Sequence, residues 1–258
     1  MLGAIIGDIA GSTYEFNNTK RLDFQTFPKG SSFTDDSICT AAIADAAMHG
    51  KPYADTLAAW CARYPHPMGG YGASFARWIA SPSHTPYYSF GNGSAMRVSA
   101  IGWLYQTDRE TIDAAIQTAK ISHDHPEGIK GAVVVAMSIF LLRHGFKKER
   151  IDDYVKRMGY AIPEYKPFSN PFNETCQNAI PVAMSCFIAS TDFEDAIRKA
   201  IAVGGDSDTI GAIVGSLAEA HYGIPAWMVK KAMKALPKDI KRVVNEFYYT
   251  IGKTYMVK

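Results

Sequence analysis

Apolar residues recur with helical spacing along most of this chain, and the apolar–polar alternation of a half-buried strand is almost absent. In the segment 34–50, for example, Ile38, Ala42 and Ala46 fall on one helical face, and a Gly-Lys-Pro sequence ends the pattern. The sequence therefore predicts an all-α fold. Because neither a repeat nor a linker-like stretch interrupts it, we expect a single domain spanning residues 1–258.

Helix starts can be predicted from capping boxes, in which a Ser or Thr precedes a Glu by three residues. Thr107 with Glu110 and Thr191 with Glu194 both fit this pattern. A last amphipathic pattern covers residues 225–251. Between the predicted helices lie long loops rich in Gly, Pro and aromatic residues, and loops of this kind are often functional. These loops cover residues 11–33, 64–75, 80–94 and 159–175.

Composition limits the classes of partner and compartment. The chain carries 27 basic and 25 acidic residues, a net charge of +2, and no basic run that would attract nucleic acid. No apolar run is long enough to cross a membrane, and the apolar N-terminus lacks the basic region of a signal peptide. Its four cysteines form no C-x-x-C pair, which argues against a zinc–thiolate site and suits a reducing compartment. We expect a cytoplasmic protein.

Two acidic clusters about 170 residues apart have the same composition. Each places two carboxylates and a hydroxyl at the start of a predicted helix. The members are Thr34, Asp35 and Asp36 in the first cluster, and Asp206, Asp208 and Thr209 in the second.

Either cluster alone could be a helix cap, since Asp and Thr are favoured at that position and negative charge suits a helix N-terminus. A cap, however, uses one side-chain oxygen, and each cluster offers at least three. Oxygen ligands without histidine or thiolate suit hard cations such as Mg²⁺ or Mn²⁺. Two such clusters together fit a pair of ions. The sequence thus indicates a metal site, with helix capping as the alternative.

Two glycine-rich stretches, "GGYGAS" and "GNGSAM", could bring backbone N–H groups close to an anion, or they could be ordinary turns. A "SHDHPEG" segment contains His123 and His125, which could face a phosphate, bind a metal or cap a helix. Tyr87, Tyr88 and Phe90 form an aromatic cluster that could stack on a nucleobase or simply pack.

Taken together and in order, these stretches resemble the ADP-ribosylglycohydrolase family. The resemblance runs through "GDIAGSTYEF", "FTDDS", "GGYGASF", "GNGSAMR", "SHDHPEG" and "GGDSDTIGAIVGSLAEAHYG", and so covers most of the chain. The acidic pair and the last motif are its most specific parts. The family fold that the resemblance implies is a compact, orthogonal all-α domain with a dinuclear magnesium cleft.

The resemblance also implies roles for individual residues. The magnesium ligands would be Thr34, Asp35, Asp36, Asp206, Asp208 and Thr209, with Mn²⁺ as a possible substitute. The catalytic residues would be Glu15, as acid/base, together with Asp35, Asp36 and Asp208. The residues that bind substrate would be Gly70, Gly72, Ser74, Gly91, Asn92, Gly93, Ser94, Met96 and His123, with Tyr88 at the adenine.

The implied reaction is hydrolysis of the bond between ADP-ribose C1″ and an acceptor, the reversal of ADP-ribosylation. The substrate would be an ADP-ribosylated protein or a small ADP-ribosyl compound. Nucleic acid would enter only as an ADP-ribosylated acceptor, no membrane partner is expected, and a monomer is the simplest state. The alternatives are a metal-dependent nucleotide phosphohydrolase or pyrophosphatase, which cuts at phosphorus, and a non-catalytic protein that binds ADP-ribose.

Overall fold

Fourteen helices make up the regular secondary structure of residues 1–254, the part of the chain that the computed structural model describes. No strand occurs within this range; only two isolated bridges join Thr34 to Met68 and Gly91 to Thr175. The prediction of an all-α fold is confirmed. The helices are α1 Leu2–Gly11, α2 Asp35–His49, α3 Tyr53–Arg63, α4 Ala73–Ala80, α5 Gly93–Met96, α6 Ile101–Leu104, α7 Asp108–Lys120, α8 Pro126–Arg143, α9 Lys148–Arg157, α10 Cys176–Ala189, α11 Phe193–Ala202, α12 Ser207–Tyr222, α13 Ala226–Ala235 and α14 Lys238–Thr250.

Helices α1 and α12 pack with their backbones in direct contact. A Cβ atom on Gly7 would overlap the carbonyl oxygen of Gly211, and one on Gly3 would overlap that of Gly215. One turn further along, a Cβ on Gly11 would lie 2.5 Å from the Ser207 carbonyl oxygen. Glycines spaced four apart lie on one side of a helix, so they form a groove without side chains that admits the other helix.

Every residue of α1 is buried, although no helix was predicted for this apolar segment from the sequence. Its apolar side chains belong to a cluster of buried residues that runs through most of the other helices. The segment is apolar because it is a core helix. No helix within residues 1–254 has the length and apolarity needed to cross a bilayer.

Helix α8 contacts α7, α5, α6, α10, α12 and α9. Pro126 occupies its first turn, where a missing backbone N–H is tolerated, and its apolar side chains point in nearly all directions. This helix supports the segments on either side of it, including the short α5 and the end of α7. Both of these segments contribute to the site described below.

The predicted helix boundaries need two corrections. The capping box of Thr107 is confirmed, since its hydroxyl accepts a 3.2 Å hydrogen bond from the Glu110 N–H. The second box is wrong by one residue: α11 is capped by Asp192, whose carboxylate accepts a 2.9 Å bond from the Asp195 N–H. The pattern over 225–251 is two helices rather than one, because Pro237 ends the first and starts the second.

The contact between α1 and α12 predicts that Gly7→Ala will lower the free energy of unfolding by about 1–3 kcal/mol, the typical cost of overpacking a core. The added methyl group would meet the Gly211 backbone, which cannot move as a flexible side chain could. Urea unfolding followed by circular dichroism measures the effect.

Gly72→Ala is the matched control, because a Cβ there meets nothing within 4 Å and the backbone φ of −53° suits any residue. A Gly7→Ala protein as stable as the Gly72→Ala protein would contradict the close-packed contact.

Candidate active site

The first acidic cluster lies at the start of α2. Thr34 is the N-cap residue, and its hydroxyl accepts a 3.2 Å hydrogen bond from the Asp36 N–H. That bond satisfies the cap, so the two carboxylates that follow are not needed for it. Asp36 is buried, and among the described residues its Oδ1 atom has no hydrogen-bond partner. A buried, unpaired carboxylate oxygen needs a further explanation.

Asp8 of α1 positions this helix start. Its Oδ2 atom accepts bonds of 3.0 Å from the backbone N–H groups of Thr34 and Ser37, and it also accepts the Ser37 hydroxyl. Burial raises the pKa of Asp8 to about 6, against the lowering effect of these hydrogen bonds. Sequence reasoning missed this role, although one acidic residue inside an otherwise apolar helix was the available signal.

The second acidic cluster begins just before α12. Gly204 and Gly205 have φ values of 88° and 79°, in the left-handed region that glycine adopts readily. Asp206 then occupies the N-cap position, yet its side chain makes no capping hydrogen bond. Its Oδ2 atom instead accepts a 2.6 Å bond from the Asn92 amide. The turn therefore frees Asp206 from the helical path, so that it can point to the same side as Asp208.

The two clusters meet in the wall of one cavity. The Thr209 hydroxyl donates a 3.2 Å hydrogen bond to Asp36 Oδ2, which joins the start of α12 to the start of α2. One carboxylate oxygen each from Glu15, Asp206 and Asp208 lies within 4.8 Å of the other two. Residues about 170 positions apart in the sequence thus form one group.

The loop that carries Glu15 is attached to the second cluster. The Asn18 side chain accepts a 2.8 Å bond from the Gly205 N–H and donates a 2.9 Å bond to the Gly205 carbonyl oxygen. The same amide also bonds the carbonyl oxygens of Tyr14 and Glu15, at 2.6 and 3.2 Å. Glu15 is therefore held beside the aspartates by the turn that precedes them.

The carboxylates of the site raise one another's pKa values. Burial is the largest cause for Asp35, Asp36 and Asp208, whose pKa values lie well above the usual range. Neighbouring negative charges add to it: Asp35 acts on Asp36, and Asp206 acts on Asp208. Crowded anions of this kind are stabilised by a bound cation.

Glu15 has its pKa raised to about 7, first by burial and then by the charges of Asp206 and Glu174. Its environment is thus suited to proton transfer near neutral pH. Glu174 lines the same cavity, and its own pKa is raised by burial and by Asp206. The sequence analysis did not single out Glu174, because a lone glutamate in a long polar loop carries no motif.

The donor set fits hard cations. It consists of carboxylate and hydroxyl oxygens, with no sulfur or imidazole group among the residues that the two clusters contribute. The unpaired Asp36 Oδ1 atom is a ready ligand, and burial, followed by the charges of neighbouring carboxylates, raises the pKa of Asp36. The residues present therefore suit Mg²⁺ or Mn²⁺ better than zinc or copper.

The cavity has a volume of about 610 Å³ and extends from the acidic group to the glycine-rich loops and His123. This size falls within the range of small-molecule sites. It brings together most of the residues that the sequence analysis selected. The predicted residues in its wall are Glu15, Asp35, Asp36, Gly70, Gly72, Ser74, Gly91, Asn92, Gly93, Met96, His123, Asp206, Asp208 and Thr209.

Three predicted residues do not line the cavity. Thr34 is buried as the α2 cap, and the Ser94 hydroxyl donates a 2.7 Å bond to the Gly128 carbonyl oxygen. Tyr88 is 61% exposed, with a φ of 55° that turns it outward, and its ring packs 4.7 Å from that of His125. Tyr87 lines the cavity in its place.

His125, the second histidine of "SHDHPEG", acts as a helix cap. Its Nδ1 atom accepts a 3.0 Å bond from the Glu127 N–H at the start of α8. The sequence left three roles open for these two histidines: phosphate contact, metal binding and helix capping. His125 is the helix cap, and of the two only His123 lines the cavity.

Comparison with known proteins agrees with these motifs. A family model described as ADP-ribosylglycohydrolase matches residues 1–254. The chain is 22% identical over 306 aligned residues to ADP-ribosylhydrolase ARH3 of Homo sapiens, with 87% of this chain and 84% of that protein covered. It is 24% identical over 282 residues to ADP-ribosyl-[dinitrogen reductase] glycohydrolase of Rhodospirillum rubrum, with 97% and 95% covered.

A solved structure described as an ADP-ribosylglycohydrolase-related protein complex has the same fold. It superimposes with a TM-score of 0.75 over 97% of this chain and 95% of that one, at 21% sequence identity. The family match includes both acidic clusters and both glycine-rich loops, and it confirms the resemblance inferred from the sequence motifs. The chain therefore belongs to the ADP-ribosylglycohydrolase family of glycosidic-bond hydrolases.

Proposed function

We propose that the chain is a single-domain, metal-dependent hydrolase that cleaves the bond between ribose C1″ of ADP-ribose and an acceptor. The observation that carries this proposal is the meeting of Glu15 and two acidic clusters at one end of a cavity whose other parts are glycine loops and His123. A sugar could lie at the acidic end while its diphosphate reaches the loops. Relatives named as ADP-ribosylhydrolase and as ADP-ribosyl glycohydrolase support the same reaction.

The ligands proposed for two Mg²⁺ ions, or Mn²⁺ in their place, are Asp35, Asp36, Asp206, Asp208 and Thr209, with Thr34 beside them. When bound, such ions supply Lewis acidity and neutralise negative charge next to the ribose. The chain holds these oxygens in place through Asp8, which fixes the start of α2, and through Asn92, which orients Asp206.

Glu15 is the proposed acid/base. Glycoside cleavage passes through an oxocarbenium-like transition state and needs a proton moved to or from the reacting oxygen. A carboxyl group with a pKa raised to about 7 can hold or accept that proton near neutrality. Its loop is attached through Asn18 to the turn before the second cluster, which keeps the carboxyl beside the sugar position.

The remaining walls bind the rest of the substrate in this proposal. Backbone N–H groups of the two glycine-rich loops and the His123 ring would hold the diphosphate. Tyr87 takes the role at the adenine that was predicted for Tyr88, because only Tyr87 lines the cavity. Binding energy from these distant groups positions C1″ for reaction.

Asp206→Asn tests the metal-ligand role against the helix-cap role. We expect the variant to fold and to lose nearly all release of ADP-ribose, because Asn is an equally good cap but a poorer metal ligand. The assay supplies Mg²⁺ or EDTA with a panel of ADP-ribosylated arginine and serine peptides, and mass spectrometry identifies the products.

Asp192→Asn is the matched control, since it makes the same change at the N-cap of α11, outside the cavity. Full activity of the Asp206→Asn variant, or of the EDTA-treated wild type, would exclude the metal role. AMP as a product would indicate a pyrophosphatase, and binding without turnover on any substrate would indicate a non-catalytic protein.

The metal-free protein is expected to melt at a higher temperature as the pH falls from about 8 to about 5. Asp8 and Glu15 have folded-state pKa values of about 6 and about 7, above those of unfolded carboxyl groups. The folded state therefore binds more protons in this range, and its stability falls as pH rises. Differential scanning fluorimetry of EDTA-treated protein measures this trend.

Adding Mg²⁺ near pH 8 should restore the thermal stability that the metal-free protein loses as the pH rises. A ligand at a hundred times its dissociation constant stabilises the folded state by about 2.7 kcal/mol. The Asp36→Asn variant should show a smaller Mg²⁺ response and a weaker pH dependence. A melting temperature that does not respond to pH or Mg²⁺ in the wild type would contradict the proposed cation site.

Glu15→Gln should lower kcat by about 10²–10⁴-fold, the usual contribution of a general acid/base. Affinity for ADP-ribose should change little, because Gln keeps the size of the side chain. Single-turnover kinetics and calorimetric titration with ADP-ribose separate the two quantities. Turnover within a few-fold of wild type would rule out the acid/base role.

A further inference from the structure

Arg97 is a buried cation in the wall of the cavity. It directly follows α5, lines the cavity and is only 1% exposed. Its Nη2 atom donates to the Thr118 carbonyl oxygen at 2.8 Å and to the Ser122 hydroxyl at 2.9 Å, while its Nε atom has no hydrogen-bond partner among the described residues.

No carboxylate of residues 1–254 forms an ion pair with this guanidinium. The titratable groups that act on it most strongly are thiols and a phenol, namely Cys39, Tyr87, Cys61 and Cys176. Arginine cannot shed its charge in a protein, and a buried charge without a partner is costly. An anion that enters the cavity would supply the missing partner.

Ser122 connects this charge to His123. Its hydroxyl oxygen accepts from Arg97 and lies 2.8 Å from His123 Nδ1. Because Arg97 can only donate, the Ser122 oxygen accepts from it and keeps its own proton, which it can donate to Nδ1 in the order Arg97 to Ser122 to His123. Burial and the Arg97 charge lower the pKa of His123 well below its usual range, so the ring is neutral. With Nδ1 as the acceptor, a neutral ring carries its proton on Nε2.

The Nε2 atom lies against the glycine turn that the diphosphate is proposed to contact. A Cβ on Gly93 would be 3.1 Å from it, and one on Gly91 would be 3.4 Å away. Among the described residues, Nε2 has no hydrogen-bond partner of its own. In this hydrogen-bond order, the ring presents an N–H donor beside two residues that line the cavity.

We propose that Arg97 is the fixed positive charge for the diphosphate and that, through Ser122, it holds His123 in the tautomer that donates from Nε2 into the cavity. Arg97 and Ser122 are thus positioning residues for substrate binding. This inference rests on the proposed function for the identity of the anion. The proposed hydrogen-bond order and tautomer involve only the chain's own residues, so they can be tested whatever the anion is.

Calorimetric titration with ADP-ribose in Mg²⁺ measures the binding effect without requiring turnover. Ser122→Ala should raise Kd about tenfold, the loss that a single hydrogen bond of roughly 1.4 kcal/mol produces. Ser122→Thr keeps the hydroxyl and should restore most of the affinity. Ser99→Ala is the matched control, because Ser99 is fully buried and its hydroxyl has no hydrogen-bond partner among the described residues.

Arg97→Met removes the charge but keeps a side chain of similar length. It should raise Kd for ADP-ribose about a hundredfold, a larger effect than the tenfold expected for Ser122→Ala. Thermal denaturation shows whether this variant is folded. If it is not, Arg97→Lys provides the test, since it keeps the charge without the fork that reaches both partners, and we expect an intermediate loss.

The nitrogen NMR spectrum of the His123 ring tests the tautomer directly. The wild type should carry its proton on Nε2, and Ser122→Ala should give a mixture of tautomers, a change that loss of packing alone does not cause. A proton on Nδ1 in the wild type would overturn the inference, as would unchanged ADP-ribose affinity in both Ser122→Ala and the folded Arg97 variant. If the wild type does not bind ADP-ribose at all, the proposed function fails, and the role of Arg97 toward a diphosphate fails with it.

Discussion

The backbone contact between α1 and α12 is the constraint on which the site depends. Gly3 and Gly7 face Gly215 and Gly211 so closely that no side chain fits between the helices. This approach brings the C-terminal end of α1 next to the start of α12, where a Cβ on Gly11 would lie 2.5 Å from Asp208 Cα. The loop that leaves α1 can then deliver Glu15 to the second acidic cluster within a few residues. Bulkier residues in this contact would separate Glu15 from the aspartates even if all the acidic residues remained.

Charge is distributed unevenly along the cavity. At one end, Glu15 and the aspartates crowd negative groups into a space where burial and mutual repulsion raise their pKa values. In another part of the wall, Arg97 is buried without an acidic partner, and we propose that His123 offers an N–H group there. Without bound ligands, both groups are unfavourable, because the carboxylates lack a nearby cation and Arg97 lacks a nearby anion. Divalent cations and a diphosphate would supply what the two regions lack, so the proposed substrate complex is electrostatically more balanced than the free protein.

Much of this fold and site could be predicted from sequence because the informative residues are contiguous. Periodicity identified α2, and the two acidic clusters were recognisable from their composition. Asp8, Glu174 and Arg97 were missed because each is a single residue whose role depends on contacts made far away in the sequence. Tyr88, which was predicted at the adenine, lies outside the cavity wall and has a left-handed φ of 55°, and composition does not reveal a backbone angle. Thr191 and Asp192 both fit the general rule for N-cap residues, so the sequence alone could not choose between them. The structure shows that Asp192 caps α11.

The Asn18 amide, which bonds both backbone groups of Gly205, divides the long loop after α1 into two parts. Residues 12–18 are tied to the second acidic cluster, whereas residues 19–33 join this anchor to α2. The outer part has an anchor of its own: Arg198 donates hydrogen bonds of 2.9 and 2.7 Å to the carbonyl oxygens of Leu22 and Phe24, and the Phe24 side chain is buried in the core. The loop therefore has two anchors, Asn18 beside the acidic group and Phe24 in the core, so residues 19–23 between them are the part whose length can change with least effect on the position of Glu15.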